Sequence, residues 1–250
     1  MRLALLSDLH ANLQALEACL AHARLAACDR FALLGDLVGY GGDPAAVMDK
    51  VMELAQQGAV VLKGNHDALA VSPPAQTAQM ADEGARWTHE QLSSEQRDFL
   101  ATSPLTATLG PCFLVHASAD EPEKWRYVSD ERSASASLEA ALTHPGIRYV
   151  FGGHVHHQTL YYKGSGRGLM AFQPTPGVAI PTPGHRQWIA TIGSVGQPRD
   201  GQPTAMYAVF DLQRSWLTFH RVPYDHMAAA ASVRRAGLPQ FFAKRLEEGR

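Results

Sequence analysis

Cysteine is scarce in this 250-residue chain: Cys19, Cys28 and Cys112 are odd in number and far apart. They suit a reducing compartment as buried thiols, not a disulfide framework. Long apolar runs are missing too. Leu3 to Leu6 is too short for a signal peptide, and no stretch approaches the roughly 18 apolar residues that span a bilayer. A soluble cytoplasmic protein with no membrane partner is expected. Charge of one sign is lacking: 22 basic against 24 acidic residues leave a net charge of −2. That excludes an extended nucleic-acid surface but leaves room for a local basic pocket. No Gly-x-Gly-x-x-Gly follows Leu6, so a Rossmann dehydrogenase is excluded. Repeats, low-complexity runs and a clear interdomain linker are likewise missing. With 46% hydrophobic residues the chain can fill a real core, and its length suits one α/β domain over residues 1–250.

What is present is a series of short apolar strands, each ending in a polar cluster. Arg2 to Leu6 ends in Ser7-Asp8-Leu9-His10, and Asn12 can cap a helix that buries Leu13, Leu16 and Leu20. Phe31 to Leu34 ends in Gly35-Asp36. Asp43 and Pro44 then open a helix with Val47, Val51 and Leu54 on one face, stopped by Gly58. Ala59 to Leu62 ends in Gly64-Asn65-His66-Asp67, which reads as a turn. Residues 1–67 therefore read β-α-β-α-β with right-handed crossovers.

Helices are expected at about Thr77 to Leu92 and from Ser93, where Gln96 completes a capping box. Phe113 to Val115 ends in His116. A short helix follows at Ser137 to Leu142. Tyr149 to Phe151 ends in Gly153-His154-Val155-His156, before a strand at Thr159 to Tyr162. Lys163 to Gln187 holds five Gly and four Pro in 25 residues and reads as one long loop. Trp188 to Ile192 is a strand ending in Gly193 to Arg199. Met206 to Asp211 and Trp216 to Arg221 form a hairpin, and two short helices follow from Asp225.

Five strand ends thus carry one kind of residue: Asp8 and His10; Asp36; Asn65 and His66; His116; His154 and His156. Each alone has an ordinary explanation, as a helix cap, a turn or a core histidine. Together those explanations require five coincidences at the carboxyl edge where open α/β sheets bind ligands. All the groups donate O or N, which suits Mn, Fe or Zn ions better than a thiolate site does. In Asp8-x-His10 and His154-x-His156, residues i and i+2 of an extended segment point to one side.

Asp8-x-His10, Gly35-Asp36-x-x-Gly39, Gly64-Asn65-His66-Asp67, His116 and Gly153-His154-x-His156 resemble, in order and spacing, the calcineurin-like metallophosphoesterase superfamily. Leu114 to Ser118 and Gly193 to Arg199 resemble its small prokaryotic branch of predicted phosphodiesterases. The resemblance implies a four-layer α-β-β-α sandwich of two mixed sheets and two divalent transition-metal ions: Mn, Fe, Zn or Ni, with Mn favoured. It also implies roles: Asp8, His10 and His156 on one ion; Asn65, His116 and His154 on the other; Asp36 shared; and His66 as the acid that protonates the leaving oxygen. Two ions about 3.5–4 Å apart would polarise phosphoryl oxygens and activate a shared water. The implied substrates are phosphodiesters or nucleotide-like small molecules. Arg199 and Tyr40 are candidate substrate contacts.

One block departs from the family's phosphoprotein phosphatases, which read Gly-Asp-x-Val-Asp-Arg-Gly where this chain reads Gly35-Asp36-Leu37-Val38-Gly39-Tyr40-Gly41. Gly39 replaces the carboxylate that orients the acid histidine, and Tyr40 replaces a phosphate-gripping arginine. A phosphoprotein-phosphatase role is therefore disfavoured against a phosphodiesterase. Asp67 is left as either a partner of His66 or a turn cap. The rival readings are a catalytically silent scaffold that binds a partner protein, a phosphomonoesterase, and a nucleotide-binding regulator.

Overall fold

Alternation in the first strand divides its side chains between two cores. Leu3 and Leu5 face a layer shared between two sheets, with Phe151, Phe210 and Phe219. Ala4 and Leu6 face the opposite way, toward Leu16 and Leu20 of the first helix. All four strand residues are fully buried, and each buried Leu stabilises the fold by about 1.5–3 kcal/mol.

The computed structural model describes residues 1–74, 80–164 and 168–250, with residues 80–83 described by their backbone alone. The first half runs β1 (Arg2–Leu6), α1 (Leu13–Leu25), β2 (Arg30–Leu33), α2 (Pro44–Gln56), β3 (Val60–Val61), α3 (Asn65–Val71), α4 (Met80–Gln91) and α5 (Ser94–Thr102). Next come β4 (Thr106–Leu109), β5 (Cys112–Val115), a 3-10 turn at Pro122–Lys124, α6 (Glu131–Ala141) and β6 (Tyr149–Gly152). The chain continues through β7 (Gln158–Lys163), β8 (Leu169–Phe172), β9 (Ala179–Pro181), β10 (Trp188–Ile192), β11 (Thr204–Asp211), β12 (Trp216–Pro223), α7 (His226–Arg235) and α8 (Gln240–Glu248).

These strands form two mixed six-stranded sheets, ordered β3-β2-β1-β11-β12-β9 and β4-β5-β6-β10-β7-β8. The expected four layers are present. α1 and α2 cover the outer face of the first sheet, and α6 covers the outer face of the second through Phe113, Val150 and Ile189. In each sheet three neighbouring strands run parallel: β1, β2 and β3 in one, β5, β6 and β10 in the other. Their carboxyl ends meet at one edge. Backbone bonds stitch that edge across both sheets, Val195 N–H to Ser7 C=O at 3.0 Å and Gly196 N–H to Asp8 C=O at 2.9 Å.

Several expectations change in detail. Gly64-Asn65-His66-Asp67 opens a helix, α3, with Gly64 at its N-cap and the Asp67 carboxylate accepting the Gly64 N–H at 2.8 Å. The stretch Lys163 to Gln187 is not one loop, since it contributes β8 and β9, an edge strand to each sheet. The short helix read at Ser137 to Leu142 begins earlier, at Glu131, capped by the Asp130 carboxylate. The expected start at Thr77 lies outside the described residues; α4 is described from Met80. Asn12 and the Ser93–Gln96 box cap their helices as expected, and Asp225 caps α7, whereas the Asp43 carboxylate binds the Ser232 hydroxyl instead of its own helix. Cys19 and Cys112 are buried, but Cys28 is only half-buried. No described helix is long and apolar enough to cross a membrane.

Candidate metal centre

The strand ends bring together two groups of side chains that could each hold a metal ion: Asp8, His10 and His156, and Asp36, His116 and His154. Within each group the potential ligand atoms lie within 4.8 Å of one another. Asn65 joins the second group, with its Oδ1 3.2 Å from His116 Nε2. Asp36 Oδ2 lies between the groups, 3.3 Å from His116 Nε2 and 3.9 Å from His10 Nε2.

Both carboxylates are held the same way. One oxygen is anchored by a backbone N–H and the other turns inward. Asp8 Oδ2 accepts from His154 N–H at 2.9 Å, leaving Oδ1 3.1 Å from His156 Nε2. Asp36 Oδ1 accepts from His66 N–H at 2.8 Å, leaving Oδ2 to face the imidazoles. The histidines are oriented from behind. His10 Nδ1 meets Val38 C=O at 3.3 Å, His116 Nδ1 meets Leu34 C=O at 2.9 Å, and His156 Nδ1 meets Gln197 C=O at 2.6 Å. A carbonyl only accepts, so each Nδ1 carries a proton and each ring is turned with its Nε2 inward.

Away from the His116–Asp36 pair, the result is a surplus of acceptors with nothing to donate to them. His10 Nε2 and His156 Nε2 stand 3.1 Å apart, and Asp8 Oδ1 and His154 Nε2 are buried without a hydrogen-bond partner. Buried polar atoms of this kind are costly unless a partner arrives, and a cation is the partner that suits lone pairs. The donor set therefore fits two divalent ions.

The electrostatics follow from this crowding. Burial, then the neighbouring His156, holds His10 well below the usual imidazole range. Burial, then His116, lowers His154 to about 4. Burial alone would lower His116 as well, but the Asp36 carboxylate against it raises it to about 9. Burial works against the Asp8 and Asp36 charges, yet the imidazoles facing them hold both carboxyls low.

His66 sits beside the groups as α3 begins. Its ring lies 4.3 Å from the Tyr40 ring and 5.2 Å from the His10 ring, centroid to centroid. Gly39 closes the box. It has φ +90°, and a Cβ there would stand 2.9 Å from His66 Nδ1. The position that carries a carboxylate in the phosphoprotein phosphatases is thus a glycine that makes room for the ring. Asp67 is not the partner of His66. Its carboxylate accepts from the N–H groups of Leu37, Val38 and Gly64, clamping the Asp36 loop to α3. Burial, then the Asp36 charge, pushes it up to about 7, against the pull of those N–H bonds.

Tyr40 lines the site, with its ring 4.8 Å from His10 and 5.2 Å from Phe242 of α8. Arg199 is half-buried near Tyr40 and is held by Gln197 Oε1 at 2.9 Å. Gly153 lets the two sheets close, because a Cβ there would stand 2.3 Å from Asp8 Oδ2. Two neighbours escaped the sequence reading. The Tyr127 ring stacks on His154 at 4.0 Å and 20°, and the Trp125 ring meets His116 at 5.9 Å, edge to face. Both lie in an irregular loop that carries no periodic signal.

The profile of the calcineurin-like phosphoesterase superfamily domain matches residues 1–215. A metallophosphoesterase structure from Sphaerobacter thermophilus is 33% identical, with a TM-score of 0.88 over 100% of this chain and 99% of that one. A hypothetical protein from Pyrococcus horikoshii shares the fold at 18% identity, with a TM-score of 0.77 over 100% and 98% of the two chains. An uncharacterized protein of Methanocaldococcus jannaschii is 28% identical over 99% of this chain and 98% of its own length.

Proposed function

Because the chain belongs to the calcineurin-like phosphoesterase superfamily, and so to a family of metal-dependent phosphoester hydrolases, we propose that it cleaves phosphodiesters or nucleotide-like phosphoesters at a two-metal centre. Asp8, His10 and His156 would hold one ion, Asn65, His116 and His154 the other, and Asp36 would serve both. The observation that carries this reading is the convergence of unpaired acceptors, with Asp36 Oδ2 between the two groups. An O- and N-donating set without thiolate suits Mn, Fe, Zn or Ni, and Mn is favoured. When bound, such ions would supply Lewis acidity toward phosphoryl oxygens and lower the pKa of a nearby water.

The protein's own groups do the rest. His66 gives a proton to the leaving oxygen. Burial lowers its pKa, which makes its imidazolium a stronger acid, and substrate negative charge favours the protonated form on binding. Arg199 meets an anionic part of the substrate from the rim. Tyr40 offers a ring face where a phosphoprotein phosphatase presents a guanidinium. A phosphomonoester approaches two negative charges and gains most from such a fork, whereas a diester carries one charge and a second organic group that a ring can contact. The test is kcat/KM for bis-p-nitrophenyl phosphate against p-nitrophenyl phosphate, with one metal and one pH. Diester preference is expected, and Tyr40→Arg shifts the ratio toward the monoester. A clear monoester preference in the wild type overturns the substrate assignment.

A further inference from the structure

A loop between β5 and α6 carries two aromatic rings to the side of the centre formed by Asp36, His116 and His154. Tyr127 lays one face on His154, and its side chain is 56% exposed, so its other face is open. Trp125 stands edge-on to His116 and is half-buried. The loop holds these rings at a conformational cost. Trp125 and Glu121 both have φ 51°, a left-handed conformation unfavourable for a non-glycine residue.

Such backbone persists only where its surroundings enforce it, and it concentrates at ligand clamps. Here the enforcement is visible. Ala119 N–H donates to the Ser137 hydroxyl at 2.9 Å, and Asp120 N–H to the Ser118 hydroxyl at 3.1 Å. Arg126 pairs with Asp120 and Glu121, and Lys124 pairs with Glu121. Val128 is buried with Leu138 of α6 and anchors the far end. An exposed, pre-ordered ring on top of a proposed metal ligand does nothing for the core.

We propose that Trp125 and Tyr127 form a stacking shelf for the nucleobase of a nucleoside phosphate whose phosphoryl group lies at the metal centre. This rests on the phosphoesterase reading above and sharpens it from phosphoesters in general to those carrying a base. Every nucleobase offers a π-face, so the shelf selects for a base without reading which one it is. The loop is already ordered, so binding loses little further entropy.

The measurement is calorimetric binding of AMP and of ribose 5-phosphate to the full chain reconstituted with Mn²⁺. The two ligands share phosphate and ribose and differ in the base. AMP binds about tenfold more tightly to the wild type. Tyr127→Leu and Trp125→Leu, each keeping apolar bulk without a ring, reduce that advantage to about twofold and leave ribose 5-phosphate unchanged. Tyr127→Phe retains it. Equal affinity of the two ligands, binding of neither, or an AMP advantage that survives both Leu substitutions overturns the shelf. Hydrolysis of bis-p-nitrophenyl phosphate by the same preparation separately decides the phosphoesterase reading, because the binding comparison requires no turnover.

Discussion

Two histidine and tyrosine clusters among the described residues differ in how donors meet acceptors. At the sheet edge, His10, His116 and His156 give their Nδ1 protons to backbone carbonyls and turn Nε2 toward carboxylate oxygens. On the α1 side of the first sheet, His22, Tyr207 and His220 lie with ring centroids 5.0–5.6 Å apart. There the Tyr207 hydroxyl and His22 Nδ1 share a hydrogen bond of 2.6 Å, so each polar atom of that pair has its partner. Burial raises the Tyr207 phenol above its usual range and keeps it a donor. Residue type does not separate the clusters. A surplus of acceptors marks the one built for a cation.

The sharpest way to break this contrast is Asp36→Ala. With the carboxylate proposed to be shared gone, metal analysis should find less than about one ion per chain, and kcat/KM should fall by about 10³ or more. His10→Ala touches one group only and should keep more metal than Asp36→Ala. Full dinuclear occupancy in Asp36→Ala would remove the shared role.

A smaller effect isolates proton transfer from metal holding. His66→Ala should retain both ions and lose about 10²–10⁴ in rate on an alkoxide leaving group. The loss should shrink for p-nitrophenolate, which departs without a proton. Equal losses on both would assign His66 to positioning.

The second cluster responds to acid. Burial, then His22, lowers His220 from 6.5 to about 4. The fold therefore favours its neutral form, so the stability it contributes is complete above pH 6.5 and drains away as pH falls toward 4. Since His220 is only partly buried, the loss should be about 1–2 kcal/mol. Thermal melts of the metal-loaded protein across that window should slope less in His220→Gln than in the wild type; an identical slope would dismiss His220 as the cause.

The smallest change is Tyr207→Phe, which removes one hydrogen bond and leaves His22 unpaired at a cost of about 1 kcal/mol. Denaturant titration should register that loss, while metal content and kcat stay as in the wild type. A drop in metal content would erase the distinction between the clusters.

Much of the site was legible because its signal is local. Asp8, His10, Asp36, Asn65, His116, His154 and His156 each follow a short apolar run, and strand ends can be read from such runs. The edge strands β8 and β9 were hidden because pairing, not propensity, makes them strands. Leu169 pairs with Lys163, and Ala179 with Thr218 across the hairpin. Pro181 ends β9 at the margin of the first sheet, where a missing N–H interrupts no ladder, so proline there misleads the reader but not the fold. The opening of α3 was masked by three polar residues that read equally well as a turn. The role of Asp67 depends on the N–H groups of Leu37 and Val38, which lie 30 and 29 residues away in sequence. Among the proposed ligands, Asp8, His10, Asp36, His154 and His156 have positive φ, which no side-chain pattern announces.

The bond from His154 N–H to Asp8 Oδ2 spans 146 residues, and His156 leans on a carbonyl a further 41 residues along. Neither half of the centre can exist in a partly made chain. Asp8 waits, without its anchor, until residue 154 has emerged, and His156 is free to rotate until residue 197 has. An ion held at this edge is therefore a certificate of assembly: it reports that both sheets have formed and closed upon each other. In denaturant, its release should coincide with global unfolding and not with the fraying of any single helix.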